Sequence, residues 1–390
     1  MKLKGILGIV IVLLLALPLS CCGQDDAKTK SIKLTAKQVS LGEFRPGGDA
    51  ASLVVSPDSK RVAYGAQKGK KWLVVVDGQE GTEYDRICTP IFSPDSKRVA
   101  YVAKKGKKCL VVVDGQESSE YDLIGEGSLI FSPDSKRVAH AARNGTKWLV
   151  VVDGQEGSEY VGGLIFSPDS KRVAYAARNG TKRLVVVDGQ EGSEYDGIME
   201  GTPIFSPDSK RVAYGAQKGK KWLVVVDGQE GSEYDGIMIM EGDPVFSPDS
   251  KRVAYVAKKG KKCLVVVDGQ EGREYEGIGT DPIFSPDGKR VAYAARKGGK
   301  WLVVVDGQEG REYEGIAGNL IFSPDGKRVA YAAKKGGNRL VVVDDQEGSE
   351  YDGFLGGSKL VFDSSDSLHT LVTAGSGPEY FRVEIKIEEK

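Results

Sequence analysis

Short apolar segments alternate with polar, glycine-containing segments along most of the chain. The run Leu-Val-Val-Val at 110–113 is apolar at every position, and a strand of this kind must be covered on both faces. Near it lie Val-Ala-Tyr at 99–101, an Ile-Phe pair and a Glu-Tyr pair, each bounded by turn residues. The pattern predicts four short antiparallel β-strands, called A to D here, and no helix of useful length.

The same four segments recur along the chain, and a Ser-Pro-Asp triplet marks each copy. The triplets contain Pro57, Pro94, Pro133, Pro168, Pro207, Pro248, Pro286 and Pro324. Adjacent prolines are 35 to 41 residues apart. Repeats of this length and strand count predict an all-β fold, a β-propeller of four-stranded antiparallel blades. An open β-solenoid is the alternative, although its coils are usually shorter.

We place eight complete repeats near residues 52–88, 89–125, 128–162, 163–200, 202–241, 243–279, 281–317 and 319–356. A degenerate unit at 358–390 has segments like strands A, B and C but no strand D. Residues 39–44, before the first repeat, resemble a strand D. Their pairing with the degenerate unit would make a composite ninth blade, closed by the two termini, and would remove exposed sheet edges. An eight-bladed propeller with an accessory C-terminal hairpin is the alternative.

One column of the repeat shows how the array grew. The residues that precede Leu-Val-Val-Val are Trp72, Cys109, Trp148, Arg183, Trp222, Cys263, Trp301 and Arg339. The order Trp-Cys-Trp-Arg occurs twice, which indicates that a block of four repeats was duplicated. The two cysteines of this column lie four blades apart, too far for a disulfide, which needs Cα atoms about 4.4 to 6.8 Å apart.

A resemblance to a known family rests on two motifs, FSPDGKRVAYAA and the LVVVDGQEG that follows it. Together they resemble the TolB-like, or WD40-like, β-propeller repeat of bacterial envelope proteins. The resemblance covers roughly Ala51 to Phe354. It does not extend to the α/β domain that precedes the propeller in TolB. It implies the fold and an envelope location, and it leaves the function open.

The N-terminus predicts export. Residues 1–22 read as a signal peptide with a basic start and an apolar stretch from Ile6 to Leu17, which is shorter than the roughly 20 residues that span a bilayer. Cys21 and Cys22 follow the small Ser20 and are candidates for lipidation, as in bacterial lipoproteins. We expect a periplasmic or cell-surface protein that meets the membrane through its lipid anchor only; plain secretion is the alternative. Residues 23–37 are a linker, and 38–390 form one propeller domain.

Charge excludes some partners and suggests others. Lys and Arg number 55, as do Asp and Glu, so nothing global favours nucleic acid or a membrane surface. The loops between strands B and C are locally basic and could attract an anionic partner; their candidate binding residues are Lys70, Lys71, Lys107, Lys108, Lys220, Lys221, Lys261 and Lys262. The alternative is a solvated face, because acidic residues share that face. No aromatic residues interleave with the lysines, so nucleic acid is not expected.

Catalytic chemistry is not readable in the repeated motifs. Ser-Pro-Asp suits a tight turn whose fourth residue has positive φ, and on that basis Ser209→Gly should stabilise the fold. Asp-Gly-Gln-Glu is a hairpin signal, with calcium binding as the alternative. Only His140 and His369 could serve as a base, and no Ser-His-acid grouping is apparent. We predict no catalytic residues, no metal and no cofactor.

The repeats differ mainly in the segments between Glu-Tyr and the next Ile-Phe pair, called links here. Met199, Met238 and Met240 lie in links and are candidates for an exposed binding patch; alternatively, Met199 and its neighbours tuck under the blade edge. We expect a non-enzymatic scaffold that binds an envelope protein or another ligand. The alternatives are an enzyme of the lactonase or glycan-processing kind with a metal in the channel, and a purely structural envelope protein. The sequence does not indicate an oligomeric state.

Overall fold

The structure is a computed structural model of the chain. It describes residues 40–41, 44, 47–238, 244–355, 359–373 and 380–388. Within these ranges the chain is all-β except for one 3-10 turn, Ala50–Ser52, which Asp49 caps by accepting a hydrogen bond from the Ala51 N–H at 3.0 Å. No helix in these ranges is long and apolar enough to cross a membrane.

The described strands form nine consecutive antiparallel sheets, numbered 1 to 9 in chain order. Sheet 1 contains β1 (Val54–Val55), β2 (Val62–Lys68), β3 (Lys71–Val76) and β4 (Gln79–Glu80). Sheet 2 contains β5 (Arg86–Ile87), β6 (Ile91–Phe92), β7 (Val99–Lys105), β8 (Lys108–Val113) and β9 (Gln116–Glu117). Sheet 3 contains β10 (Leu123–Ile124), β11 (Ile130–Phe131), β12 (Val138–Asn144), β13 (Lys147–Val152) and the start of β14 (Gln155–Phe166).

The later sheets follow the same plan. Sheet 4 contains the end of β14, β15 (Val173–Asn179), β16 (Lys182–Val187) and β17 (Gln190–Glu191). Sheet 5 contains β18 (Gly197–Ile198), β19 (Ile204–Phe205), β20 (Val212–Lys218), β21 (Lys221–Val226) and β22 (Gln229–Glu230). Sheet 6 contains β23 (Gly236–Met238), β24 (Val245–Phe246), β25 (Val253–Lys259), β26 (Lys262–Val267) and β27 (Gln270–Glu271).

Three sheets complete the described part of the chain. Sheet 7 contains β28 (Gly277–Ile278), β29 (Ile283–Phe284), β30 (Val291–Lys297), β31 (Lys300–Val305) and β32 (Gln308–Glu309). Sheet 8 contains β33 (Gly315–Phe322), β34 (Val329–Lys335), β35 (Asn338–Val343) and β36 (Gln346–Tyr351). Sheet 9 contains β37 (Gly353–Phe354), β38 (Val361–Ser364), β39 (Ser367–Thr373) and β40 (Tyr380–Lys386).

Strand A is longer than the sequence predicted, because it has two parts separated by a bulge. In sheet 2, Ile87 of β5 pairs with Ala103, and Ile91 of β6 pairs with Ala100 of the same strand B. The repeat bounds predicted from the sequence place Ile87 near the end of the first repeat, 52–88, whereas in the structure Ile87 belongs to the second sheet. The chain crosses to the next sheet one residue after the Glu-Tyr pair, where the Asp85 N–H already donates to the Lys104 carbonyl at 2.9 Å. Each link therefore contains the first half of strand A and then a bulge that leads into the second half.

Consecutive sheets pack face to face, as the apolar strands required. Between sheets 1 and 2, Val74 and Tyr84 lie against Tyr101, Leu110 and Val112 in one buried cluster. The rings of Tyr84 and Tyr101 meet edge to face with centroids 6.2 Å apart, a favoured aromatic geometry. The same contact recurs between later sheets. Two-sided burial of strand C is thus confirmed.

Both predicted turns are confirmed by their backbone angles. In the hairpin between strands C and D, Asp114 has φ 51° and Gly115 has φ 83°, as a type I′ turn requires. The fourth residue of the Ser-Pro-Asp turn also has positive φ, 66° at Ser96. The sheets and turns together are those of β-propeller blades, so the chain is an all-β protein of the β-propeller class.

Sheet 9 has strands A, B and C, as expected of the degenerate unit: β37 and β38 are the two parts of strand A, β39 is strand B and β40 is strand C. Its predicted fourth strand, residues 39–44, lies mostly outside the described residues, and Ser40, Leu41 and Phe44 carry no strand assignment. The Phe44 ring stacks on Tyr64 with centroids 4.5 Å apart. Tyr64 and Tyr101 are the equivalent strand-B tyrosines of sheets 1 and 2. Phe44 therefore packs on sheet 1 at the position where Tyr84 packs on sheet 2.

Candidate functional site

The Ser-Pro-Asp turns form hydrogen bonds between neighbouring sheets, and these bonds recur from sheet to sheet. Within the turn of sheet 2, the Ser93 hydroxyl donates to Asp95 Oδ1 at 2.6 Å, which lowers the pKa of that carboxyl. The Asp95 N–H donates across the interface to the hydroxyl of Ser135, in the turn of sheet 3, at 2.9 Å. These serines and aspartates are occupied in holding the turns and the sheets together, so the motif is structural.

An arginine adds further contacts between the same two sheets. Arg98 Nε donates to Asp114 Oδ2 at 2.7 Å, and its Nη1 donates to the carbonyls of Ser135 and Lys136 in the next sheet. The guanidinium also lies over the Phe131 ring, 5.4 Å from its centroid. The other oxygen of Asp114 accepts from the Val99 N–H at 2.9 Å. The Asp of the Asp-Gly hairpin is therefore engaged by its own sheet, which supports the structural interpretation over calcium binding.

The candidate lysines lie on the loops between strands B and C, and three of them are paired. Lys71 bonds Asp85 at 2.7 Å, Lys108 bonds Asp122 at 2.7 Å, and Lys221 bonds Asp235 at 2.6 Å. The remaining five are exposed and form no direct ion pair in the described part of the chain; they are Lys70, Lys107, Lys220, Lys261 and Lys262. The charge of Lys262 still acts on Glu276, whose carboxyl pKa is lowered first by the Gly299 N–H and also by this lysine.

The paired aspartates also reach the next sheet. Asp122 Oδ2 accepts the Gly145 N–H at 2.6 Å, and the bonds from Lys108 and Gly145 hold the pKa of this carboxyl below its usual value. Strand D supplies further acids, since Lys68 contacts both Glu80 and Glu83 at 3.1 and 3.2 Å. This face neutralises much of its own positive charge, which favours the solvated-face hypothesis over an anion-binding face.

The methionine patch is not assembled as proposed. Met199 is only 6% exposed, so it is not an exposed tip, and the alternative that it tucks under the blade edge is confirmed. A Cβ at Gly215 would lie 2.8 Å from Met199 Cβ, which shows that the side chain occupies space left open by that glycine. Met238 is half-buried against the cluster between sheets 6 and 7. Met240, and the lipidation candidates Cys21 and Cys22, lie outside the described residues.

A cavity of about 690 Å³ lies between sheets 7 and 8, among residues that the sequence analysis did not single out. It is lined by both links and the adjoining strands, including Gly279, Thr280, Asp281, Trp301, Ile316 and Leu320. Its volume is within the range of about 300 to 1,000 Å³ typical of ligand pockets. Slightly more than half of the lining surface is apolar and the rest is polar, and both kinds of surface occur in ligand-binding sites.

Gly279 and Trp301 give this cavity its wall. A Cβ at position 279 would lie 2.3 Å from Cζ3 of Trp301, so the indole can lie against the link only because residue 279 is glycine. The equivalent link residue of sheet 5 is Met199, and that of sheet 6 is Met238. A glycine in a link beside a tryptophan in strand C was the available sequence signal.

Thr280 differs from the related hydroxyls of other links. Ser128 accepts from the Ala141 N–H at 3.0 Å and donates to the Gly125 carbonyl at 2.7 Å. Thr280 accepts from the Ala294 N–H at 3.0 Å in the same manner, but its hydroxyl has no acceptor in the described part of the chain. Thr280 therefore brings a free hydrogen-bond donor to the lining of the cavity.

The two histidines do not form a catalytic group. His140 is 3% exposed, and burial lowers the pKa of its imidazole to about 4. It packs edge to face on Tyr121, with centroids 6.1 Å apart, which confirms that it replaces the tyrosine of strand B. His369 Nδ1 lies 2.8 Å from Asp363, and no described serine bonds its ring. No cluster of three or more His, Cys, Asp or Glu side chains suited to a metal exists among the described residues.

No protein-family model and no curated protein matches this chain. Among solved structures it is similar to one described as the eukaryotic initiation factor, with 14% identity, a TM-score of 0.39, and coverage of 80% of this chain and 91% of that one. It is similar to TolB from Acinetobacter baumannii, with 18% identity, a TM-score of 0.28, and coverage of 55% and 62%. It is also similar to the β-propeller domain of the Trilobed protease from Pyrococcus furiosus, with 14% identity, a TM-score of 0.29, and coverage of 67% of this chain and 96% of that one.

The neighbours thus include TolB and other β-propellers, and the chain spans about three fifths of the length of that TolB. Because these TM-scores are below 0.5, the β-propeller assignment rests on the sheets and turns described above.

Proposed function

We propose that this protein is an exported, lipid-anchored, non-enzymatic binding scaffold of the bacterial envelope, and that it takes its ligand in the cavity between sheets 7 and 8. One observation carries the location: this cavity is formed by two links, the parts of the repeat that differ from copy to copy. Nearly identical repeats present the same groups many times. A specific site has to be built where they diverge.

The lining indicates what kind of group would enter. Ile316, Leu320 and the Trp301 indole offer apolar surface, and burying one large apolar side chain there would contribute about 1.5 to 3 kcal/mol. Thr280 and Asp281 add polar groups at the same cavity, and these can orient what binds. An apolar side chain of a partner protein, anchored by its neighbouring backbone groups, fits this description.

Site-specific photocrosslinking in cells that make the full chain tests this site. Benzoylphenylalanine at Ile316 should give a covalent adduct with the partner, whereas the same probe at Ile87, the equivalent link position in sheet 2, should not. Trp301→Ala should remove the adduct, and Trp148→Ala, in the same column of sheet 3, should keep it. Adducts of equal yield at both probe positions, or no adduct at 316, would contradict the proposed site.

Export and lipidation need a separate test. Palmitate labelling of cells should mark the chain, and Cys21→Ser or Cys22→Ser should abolish the label and release the protein from the membrane fraction. Label that survives in both single variants and in the double variant would exclude both cysteines. A divalent metal that co-purifies in stoichiometric amount would instead favour the enzyme alternative.

A further inference from the structure

Two sulfur atoms meet beside the link of sheet 6. Met238 is the last residue of β23, and Cys263 is the second residue of β26. The Cys263 thiol donates to the Met238 thioether, with Sγ and Sδ 3.3 Å apart. Cys263 is 6% exposed and packs among Val265, Tyr275 and Ile278. Met238 lies in the link and is half-buried, so the pair is close to the surface and surrounded by apolar groups.

Sheet 2 has sulfur at both equivalent positions. Cys88 follows Ile87 as Met238 follows Ile237, and Cys109 precedes Leu-Val-Val-Val as Cys263 does. The pKa of the Cys88 thiol is raised by burial first and then by the charge of Cys109. Both cysteines of this column therefore face a sulfur-containing link residue, although one partner is cysteine and the other methionine.

We propose that Met238 and Cys263 form a binding site for a soft monovalent metal ion, Cu(I) or Ag(I), which enters when the flexible Met238 side chain moves its thioether away from the thiol. Thiolate and thioether are the side chains that such ions prefer. Binding would release the thiol proton to solvent and join the cation to one thiolate, so the occupied site is neutral. Neutrality matters because an unpaired charge in apolar surroundings is costly. Zn²⁺ would keep a positive charge and lack the four ligands it usually takes.

This site is separate from the cavity of the proposed function. The competing explanation is packing, in which Met238 fills space that the tryptophan of other repeats takes up. Met238→Leu distinguishes the two, because leucine keeps the apolar volume and such exchanges usually cost less than about 1.5 kcal/mol while removing the thioether. Met199→Leu is the matched control, since Met199 holds the same link position in sheet 5, where the column residue is Trp222.

Silver ion is the probe, because it does not change oxidation state under the conditions of titration. Calorimetric titration of the full-length protein should show that Met238→Leu weakens one silver site tenfold or more and that Cys263→Ala abolishes it. Met199→Leu should leave every site unchanged. A heat that varies with buffer ionisation would report the released proton. Unchanged silver affinity in Met238→Leu would overturn the proposal, because it would mean that the thiol reacts alone or that the contact is packing only.

Discussion

The hydroxyl of Ser209 accepts a hydrogen bond from the backbone N–H of Asp169, in the preceding sheet, at 2.9 Å. Ser209 has φ 67° and is only 2% exposed. The turn alone suggested that Ser209→Gly stabilises, since a non-glycine residue in the left-handed region is strained by about 1 kcal/mol. The interface opposes this gain, because a lost hydrogen bond costs about 0.5 to 1.5 kcal/mol. We now expect Ser209→Gly to be neutral or destabilising.

Ser59 provides the matched control for this prediction. It has φ 58° at the same turn position in sheet 1, it is exposed, and no described residue donates to its hydroxyl. Ser59→Gly should therefore keep the relief of strain and raise the unfolding midpoint. Thermal unfolding followed by circular dichroism should separate the two variants by about 1 kcal/mol, from the hydrogen bond alone. Equal stabilisation by both variants would show that the inter-sheet bond contributes nothing.

Arg98 is expected to stabilise the interface between sheets 2 and 3 through its planar group. It combines an ion pair, two carbonyl contacts and a ring contact, which a lysine cannot reproduce. Arg98→Lys should lower the free energy of unfolding by about 1 to 2 kcal/mol. The control is Lys97→Ala, because the Lys97 side chain is 82% exposed and lies 3.8 Å from Asp95. Equal losses in the free energy of unfolding for the two variants, measured by chemical denaturation, would show that the Arg98 contacts do not stabilise this interface.

His140 should make the protein less stable as the pH falls below neutrality. Burial holds the pKa of its imidazole at about 4, against an ordinary 6.5, so between these values only the unfolded chain takes up the proton. Stability is lost as pH falls through this window, by about 2 kcal/mol between pH 7 and pH 5. His140→Tyr, which restores the residue of the other repeats, should remove that loss.

Urea denaturation at pH 7 and pH 5 measures this effect. His369→Gln is the control, since His369 is the other histidine of the chain and bonds Asp363. The lower pH is 5 because carboxyls with a lowered pKa, such as Asp122, lose their contribution to the free energy of unfolding only in more acidic solution. A pH dependence identical in wild type and His140→Tyr would contradict the assignment.

Gly279→Ala should displace Trp301. The added Cβ would lie 2.3 Å from the indole, so the ring has to leave the wall of the cavity, and overpacking of this kind costs about 1 to 3 kcal/mol. Gly277→Ala, two residues earlier, adds a Cβ with nothing within 4 Å and should be nearly neutral. Tryptophan emission should shift to longer wavelength in Gly279→Ala alone. An unchanged spectrum would mean that the indole does not depend on Gly279.

Much of the fold could be predicted from the sequence, because each repeat contains the residues that its turns require. Asp-Gly predicted the hairpins, and two-sided apolar strands predicted stacked sheets. The boundary between strand D and strand A was misplaced at Ile87, because local pattern does not show which neighbouring sheet a residue joins. The candidate site was predicted less well. The sequence left open whether Met199 is exposed or tucked under the blade edge, because nothing local indicated that Gly215, sixteen residues later, leaves room for it.

The sequence by itself determined the number of complete repeats, the strand order within each and the turns that join them, since these depend on near-neighbour sterics and on periodic burial. Tertiary structure alone decided which distant residues meet. Ser209 meets Asp169 across two sheets, whereas Met238 meets Cys263, and Trp301 meets Gly279, within a single sheet. These pairs are brought together by the packing of strands and sheets. Their contacts depend on how the bulged links place side chains in three dimensions, which no local pattern records.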